Sequence, residues 1–296
     1  MGLIRSIQTW GEMVKFSHSV FALPFAVFAA FLAARHMEGG TPGWGRLGLI
    51  VLCMVAARSF AMTMNRILDA VLDARNPRTM GRPIPAGRVT VSSAWAFAGA
   101  SAGVFLVGCG GFGACFGNWW PLALSAPTLG ALAGYSYAKR FTALAHFILG
   151  AVIAFAPVAA WIAVDPASLG FSAVLLCAAV ALWIAGFDII YSCQDVDVDR
   201  REGLFSAPAR LGVPGALGVS RMCHFGTILL LGAVGVRAEM GLFYWAGVAL
   251  TAVLLAAEQA VVRADDLSRV NLAFFTINGC VSLMLGTLGS VDVLVS

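Results

Sequence analysis

Two short acidic stretches in an otherwise apolar chain carry residue types whose spacing could do chemistry. The first reads Asn65-Arg66-Ile67-Leu68-Asp69-Ala70-Val71-Leu72-Asp73. The second reads Asp188-Ile189-Ile190-Tyr191-Ser192-Cys193-Gln194-Asp195-Val196-Asp197-Val198-Asp199. Asn65, Asp69 and Asp73 recur at every fourth position, and so do Tyr191, Asp195 and Asp199. On helices each trio lines one face. Carboxylates near a bilayer are costly and are kept where they hold a cation or another polar ligand. Two such ladders suit divalent cations, which in turn grip phosphate oxygens. The chemistry expected is a membrane-embedded site for Mg²⁺ and an isoprenyl diphosphate.

The elements that must position these residues are membrane helices. The chain has 296 residues, of which 60% are hydrophobic and 11% charged, with a mean hydropathy of +0.87. Soluble domains carry about 25% charged residues, so an all-α, polytopic membrane protein is expected. Barrel strands would alternate with period two, which these long apolar runs do not. Windows of about 20 apolar residues predict nine helices near 16–34, 47–67, 91–109, 119–138, 142–164, 171–190, 214–236, 241–262 and 270–292, in a single domain over 1–296 around a central cavity. The first run is too long, and too poorly followed by a small-residue cleavage site, for a removed signal peptide. The seven cysteines are scattered without a Cys-x-x-Cys pair, which argues against a disulfide framework or zinc site.

Charge placement predicts the topology. With the N-terminus cytoplasmic, fifteen of the nineteen Lys and Arg residues fall on inside segments, against Arg35, Arg46 and Arg237 outside. Arg58 lies within a span. That asymmetry predicts a cytoplasmic N-terminus, and the expected location is the inner (plasma) membrane. Both acidic stretches then sit at the cytoplasmic ends of spans two and six, the side where polyprenyl diphosphates are made, and the cavity opens there.

After the first stretch comes Asn76-Pro77-Arg78-Thr79-Met80-Gly81-Arg82-Pro83-Ile84-Pro85-Ala86-Gly87-Arg88. Arginine forks match phosphate oxygens, and the prolines and glycines predict a stiff loop. Together, Asn-x-x-x-Asp-x-x-x-Asp and the following Arg-Thr-x-x-Arg-Pro-Ile-Pro-x-Gly resemble the UbiA-type intramembrane prenyltransferase superfamily. Asp188-x-x-Tyr191-x-x-x-Asp195-x-x-x-Asp199 is similar to its second aspartate motif. Tyr135-Ser136-Tyr137-Ala138-Lys139-Arg140-Phe141-Thr142 is similar to its Tyr-x-x-x-Lys-Arg-x-Thr element. Arg58 lies where members carry an arginine in the second helix. Arg66 departs from the Asn-Asp of many members and removes one metal ligand. That variant, with Lys15-Phe16-Ser17-His18-Ser19-Val20-Phe21-Ala22-Leu23-Pro24, resembles the 4-hydroxybenzoate polyprenyltransferase-like branch, some of whose members serve the futalosine route to menaquinone.

The resemblance implies transfer of a polyprenyl group from polyprenyl diphosphate to an aromatic acid, either 4-hydroxybenzoate or 1,4-dihydroxy-6-naphthoate, in respiratory quinone biosynthesis. Mg²⁺ is the cofactor implied, with Asn65, Asp69, Asp73, Asp195 and Asp199 as metal ligands, directly or through water. Arg78, Arg82 and Lys139 would bind the diphosphate. Arg58, charged within a span, would meet the acceptor carboxylate or the diphosphate. Asp188 is a candidate base for a ring hydroxyl, with Tyr191 orienting the acceptor, while Asp197 falls on another face as a solvated charge. His18, His146 and His224 lack metal-ligand spacing; His146, just past Thr142, is a candidate cavity residue. Membrane lipid is the remaining partner; neither nucleic acid nor an obligate protein partner is indicated.

Two other readings share these features. One is a superfamily enzyme with another acceptor, such as haem or homogentisate. The other is a transporter, against which stand the clustering of carboxylates at one membrane face and the arginines beside them. A transporter is also expected to break its helices near the midplane.

Overall fold

The computed structural model describes residues 3–14 and 21–296, so residues 15–20 of the N-terminal motif, His18 among them, lie outside it. The described chain is helical. In order it forms α1 Leu3–Val14, α2 Leu23–Ala34, α3 Gly43–Leu68, α4 Ala70–Arg75, α5 Val91–Phe116, α6 Trp120–Ala123 and α7 Ser125–Gly134. There follow α8 Ala145–Val164, α9 Phe171–Ser192, α10 Val196–Arg201, α11 Ala207–Arg237, α12 Leu242–Val261, α13 Val270–Leu272 and α14 Asn278–Val295.

Among the described residues, seven helices are long and apolar enough to cross a membrane. They match seven of the nine expected spans. The first expected span, near 16–34, begins on residues outside the described ones; its described part is α2, an apolar helix of 12 residues with Pro24 in its first turn. The segment expected as one span over 119–138 is divided into α6, α7 and a 3₁₀ turn over Tyr135–Arg140, with Pro121 and Pro127 each in the first turn of a short helix, where proline's missing N–H costs least.

The chain divides into two compact units, Met1–Ser19 with Gly48–Tyr137, and Val20–Leu47 with Ala138–Ser296. In the first, α3 meets α5 through small residues, Cys53 Sγ lying 4.0 Å from Cys109 Sγ. Met13, Val89 and Ala94 form a buried cluster with Trp10, Ile67 and Ile84 packed against it. Thr90 caps α5 by accepting from the Ser93 N–H at 3.1 Å.

In the second unit α9 is the central helix, packed on both α8 and α11, while α2 lies against α8 and α14. Close approach of α8 and α9 depends on Gly150: a Cβ there would stand 2.3 Å from the Ala181 carbonyl oxygen. Deeper in this unit a polar chain ties three helices. Trp183 Nε1 donates to Asn278 Oδ1 at 2.7 Å, and Asn278 Nδ2 donates to Glu258 Oε1 at 2.7 Å. Polar groups buried in a membrane bundle are held by such partners.

The two acidic stretches share a local design. Each occupies the end of a long helix, kinks at the middle residue of its trio and continues as a six-residue helix. Asp69 (φ −94°, ψ 4°) precedes α4, and Asp195 (φ −107°, ψ 7°) precedes α10.

Candidate active site

The first acidic set lies in the first unit. Although α3 ends at Leu68, the Asp69 N–H still reaches the Asn65 carbonyl at 2.9 Å, and the Asp73 N–H reaches the Asp69 carbonyl at 2.7 Å. The kink therefore preserves the fourfold spacing and keeps the trio on one face. Asn65 Nδ2 donates to Asp69 Oδ2 at 3.1 Å and to Ser136 Oγ at 3.2 Å. Asp69 and Asp73 are buried. Arg82 Nη1 donates to Asp73 Oδ1 at 2.6 Å, while Asp73 Oδ2 is buried without a partner.

The loop after α4 is a run of hydrogen-bonded turns, as its prolines and glycines predict. Asn76 Oδ1 accepts from the Arg78 N–H at 2.9 Å, Thr79 Oγ1 donates to the Asp73 carbonyl at 3.0 Å, and Gly87 takes φ +68°. Arg88 closes it with a bidentate pair to Glu12 at 2.6 and 2.8 Å. Arg88 donates two short hydrogen bonds, and this holds the Glu12 carboxyl below its ordinary range. The loop thus carries Arg78 exposed and Arg82 half-buried against the carboxylates.

Two further arginines complete the unit. Arg58 is half-buried within α3; its Nε is buried without a partner, and Tyr135 is its electrostatic neighbour. No carboxylate neutralises it among the described residues. Arg66 is buried, donates from Nη1 to Asn65 Oδ1 at 3.2 Å, and leaves its own Nε without a partner. The one Asn65 atom able to ligate a metal therefore already accepts from a guanidinium.

The second set lies in the second unit. Asp188, on the last turns of α9, accepts from His146 Nδ1 at 2.7 Å and keeps 23% of its side chain open. Tyr191 packs on Phe274 with ring centroids 4.2 Å apart. Asp195 and Asp199 are half-buried, and Asp197 is exposed, on the other face as expected. Asp199 accepts from the Ser206 hydroxyl and lies within electrostatic range of Asp195, Lys139 and His146. The Lys139 carbonyl accepts from the Phe205 N–H at 2.7 Å, which fastens the lysine-bearing turn beside the start of α11.

Among the described residues no three His, Cys, Asp or Glu side chains converge as a ready metal cage. Mg²⁺ does not require one: it keeps several waters and takes one or two carboxylates plus substrate phosphate oxygens. The orphaned Asp73 Oδ2, with Asp69 on the same face, suits that mode of binding. Asp195 and Asp199 offer a second pair.

Four contributors were not singled out for these roles by sequence reasoning: Arg66, Ser136, His146 and Ser206. Ser206-Ala207-Pro208 carries a helix-start signature, and Ser206 does cap α11, accepting from the Ala209 N–H at 3.3 Å. Arg66 was visible only as a departure from a pattern. Nothing local marks Ser136, and the place of His146 just past Thr142 suggested a cavity residue but not its partner Asp188.

The profile of the UbiA prenyltransferase family matches residues 22–279. The chain is 32% identical to the 4-hydroxybenzoate octaprenyltransferase of Marinobacter nauticus over 254 residues, 85% of this chain and 82% of that one. It is 28% identical to the protein of that name from Chromohalobacter salexigens, over 80% of this chain and 76% of that one. Among solved structures, a UbiA homologue from Aeropyrum pernix K1 superposes with a TM-score of 0.78 and 30% identity, covering 94% of this chain and 97% of that one. A UbiA homologue from Archaeoglobus fulgidus bound to GPP and Mg²⁺ shares the fold at a TM-score of 0.68 and 18% identity, covering 97% and 99%. This polytopic membrane protein belongs to the UbiA prenyltransferase family and is a prenyltransferase.

Proposed function

We propose that this enzyme transfers a polyprenyl group from polyprenyl diphosphate to an aromatic acid, 4-hydroxybenzoate or 1,4-dihydroxy-6-naphthoate, in a Mg²⁺-dependent step of respiratory quinone synthesis. The observation that carries the reading is Asp73, one oxygen held by Arg82 and the other buried with nothing to accept from among the described residues. A buried anionic oxygen of this kind is costly unless a cation completes it. The named substrate of the Marinobacter nauticus relative and the GPP and Mg²⁺ of the Archaeoglobus fulgidus homologue support the same chemistry.

Asp69, Asp73, Asp195 and Asp199 would hold the divalent ions, with Asn65 acting through water because its Oδ1 is engaged by Arg66. When bound, those ions neutralise the departing diphosphate. Arg78, Arg82 and Lys139 bind its oxygens and stabilise the charge that develops as the allylic C–O bond breaks. Diphosphate leaves with the electron pair, a C–C bond forms to the ring, and the proton that the ring carbon gives up leaves with the diphosphate. Asp188 takes the acceptor hydroxyl's proton at its unengaged Oδ1 as the C–C bond forms and returns it to that oxygen once the ring is aromatic again, and Tyr191 orients the ring. Arg58 receives the acceptor carboxylate, which supplies the negative partner it lacks among the described residues. The enzyme sits in the plasma membrane with its N-terminus and its acidic stretches cytoplasmic, as the arginine distribution favours.

The test uses purified protein, Mg²⁺ and radiolabelled polyprenyl diphosphate, with each aromatic acid offered separately. A lipid-soluble product with the naphthoate alone assigns menaquinone synthesis; product with the benzoate alone assigns ubiquinone synthesis. Diphosphate binding without product from either would refute the acceptor and retain the metal site.

A further inference from the structure

We propose that His146 is a positioning residue for Asp188: it fixes which carboxylate oxygen faces the acceptor. The case rests on two hydrogen bonds. The Ala207 backbone N–H donates to His146 Nε2 at 3.2 Å, so that nitrogen carries a lone pair and no proton. The ring proton of the neutral imidazole is then on Nδ1, which lies 2.7 Å from Asp188 Oδ2 and donates to it. The backbone amide at the start of α11 therefore sets the tautomer. The tautomer in turn commits Oδ2 of Asp188 and leaves Oδ1 without a partner among the described residues.

The arrangement is built rather than incidental. His146 is buried at the first turn of α8, whereas Asp188 keeps its opening. Gly150, one turn further along α8, lets that helix close onto Ala181 and Ala185 of α9, one turn before Asp188. Ser206 caps the same helix start that His146 reaches, and its hydroxyl donates to Asp199. One helix terminus thus orients two carboxylates of the second motif. An imidazole held between a backbone group and a carboxylate is the usual way of locking both the tautomer and the orientation of a functional pair.

This inference rests on the proposed role of Asp188 at the acceptor, and the test separates the two. An Asn side chain places its amide near the His Nδ1 position; a Gln places its amide near the Nε2 position. His146→Asn therefore keeps a donor for Asp188 and loses the Ala207 link, and His146→Gln does the reverse. With full-length purified protein, kcat should fall about 10- to 100-fold in H146Q and no more than about threefold in H146N, in line with losses on removing such orienting partners. The KM for polyprenyl diphosphate should stay within about twofold in both, because the diphosphate groups are untouched. H146Q combined with D188N should be no slower than D188N alone, since residues acting through one another are not additive.

A larger loss in H146N than in H146Q would make His146 a brace for α11 and overturn the proposal. Full activity of H146Q alongside an inactive D188N would overturn the positioning role alone. Full activity of D188N would remove the role assigned to Asp188 itself.

Discussion

Replacing Gly150 by alanine should uncouple the second motif without touching any group that binds substrate. The new Cβ would lie 2.3 Å from the Ala181 carbonyl oxygen and 3.2 Å from both the Ala181 carbonyl carbon and the Ala185 nitrogen. These are backbone atoms of a helix and cannot swing aside as a side chain would. Restoring ordinary contact, which begins at 3.4 Å, requires α8 and α9 to part by about 1 Å or to bend. Overpacking of this kind costs about 1–3 kcal/mol. The same displacement would stretch the 2.7 Å bond between His146 and Asp188, one turn away, and a misplacement of about 1 Å can cost about a hundredfold in rate. The assay pairs a thermal melt in detergent with steady-state kinetics. The melting temperature should fall, kcat should drop by at least about tenfold, and the KM for polyprenyl diphosphate should change little. A G150A enzyme with the wild-type melting temperature and kcat would refute both the close helix contact and its link to the site.

Asp69→Asn and Asp195→Asn should each lower Mg²⁺-dependent turnover by at least about a hundredfold, because several kcal/mol of charge stabilisation are lost; Asp197→Asn should leave turnover within about twofold, its side chain being exposed. Chelation should silence the wild type and added Mg²⁺ restore it, as a mixing experiment will show. Arg58→Met should raise the KM for the aromatic acid by about 10- to 100-fold, the worth of one charged hydrogen bond, with a smaller change for polyprenyl diphosphate; the opposite split would assign Arg58 to the diphosphate. The pairing of Glu12 with Arg88 should matter little and only above acid pH. The folded-state pKa of Glu12 is depressed, so its contribution is present above the ordinary carboxylate range and lost as pH falls through the lowered value. Because both side chains are substantially exposed, Glu12→Gln should cost no more than about 1 kcal/mol near neutrality, and the difference from wild type should close in acid melts.

Much of this protein was determined by its sequence alone. A chain that is 60% hydrophobic and 11% charged has few ways to fold other than as membrane helices, since backbone groups in lipid must be satisfied within each segment. The fourfold spacing of Asn65, Asp69 and Asp73 is a property of helix geometry, and it survived the kink at Asp69 because the hydrogen bonds on either side of that residue were kept. The run of turns after Asn76 followed in the same way from its prolines and glycines.

Tertiary structure decided the partners. Sequence spacing cannot say that Asn65 Oδ1 accepts from Arg66, or that, among the described residues, Asp73 Oδ2 is left buried and unpaired and Arg58 has no carboxylate beside it. Those facts depend on which groups water and protein leave exposed or enclosed. The expected span over 119–138 was broken because local proline positions outweighed an apolar average. His146 gives the clearest case. Forty-two residues separate it from Asp188, and no periodicity links them. They meet because Gly150 has no side chain, and a backbone amide of α11 then settles which nitrogen holds the proton. Helix periodicity acts over a few residues and can be read along the chain; close packing acts across it and becomes visible only when the helices are assembled.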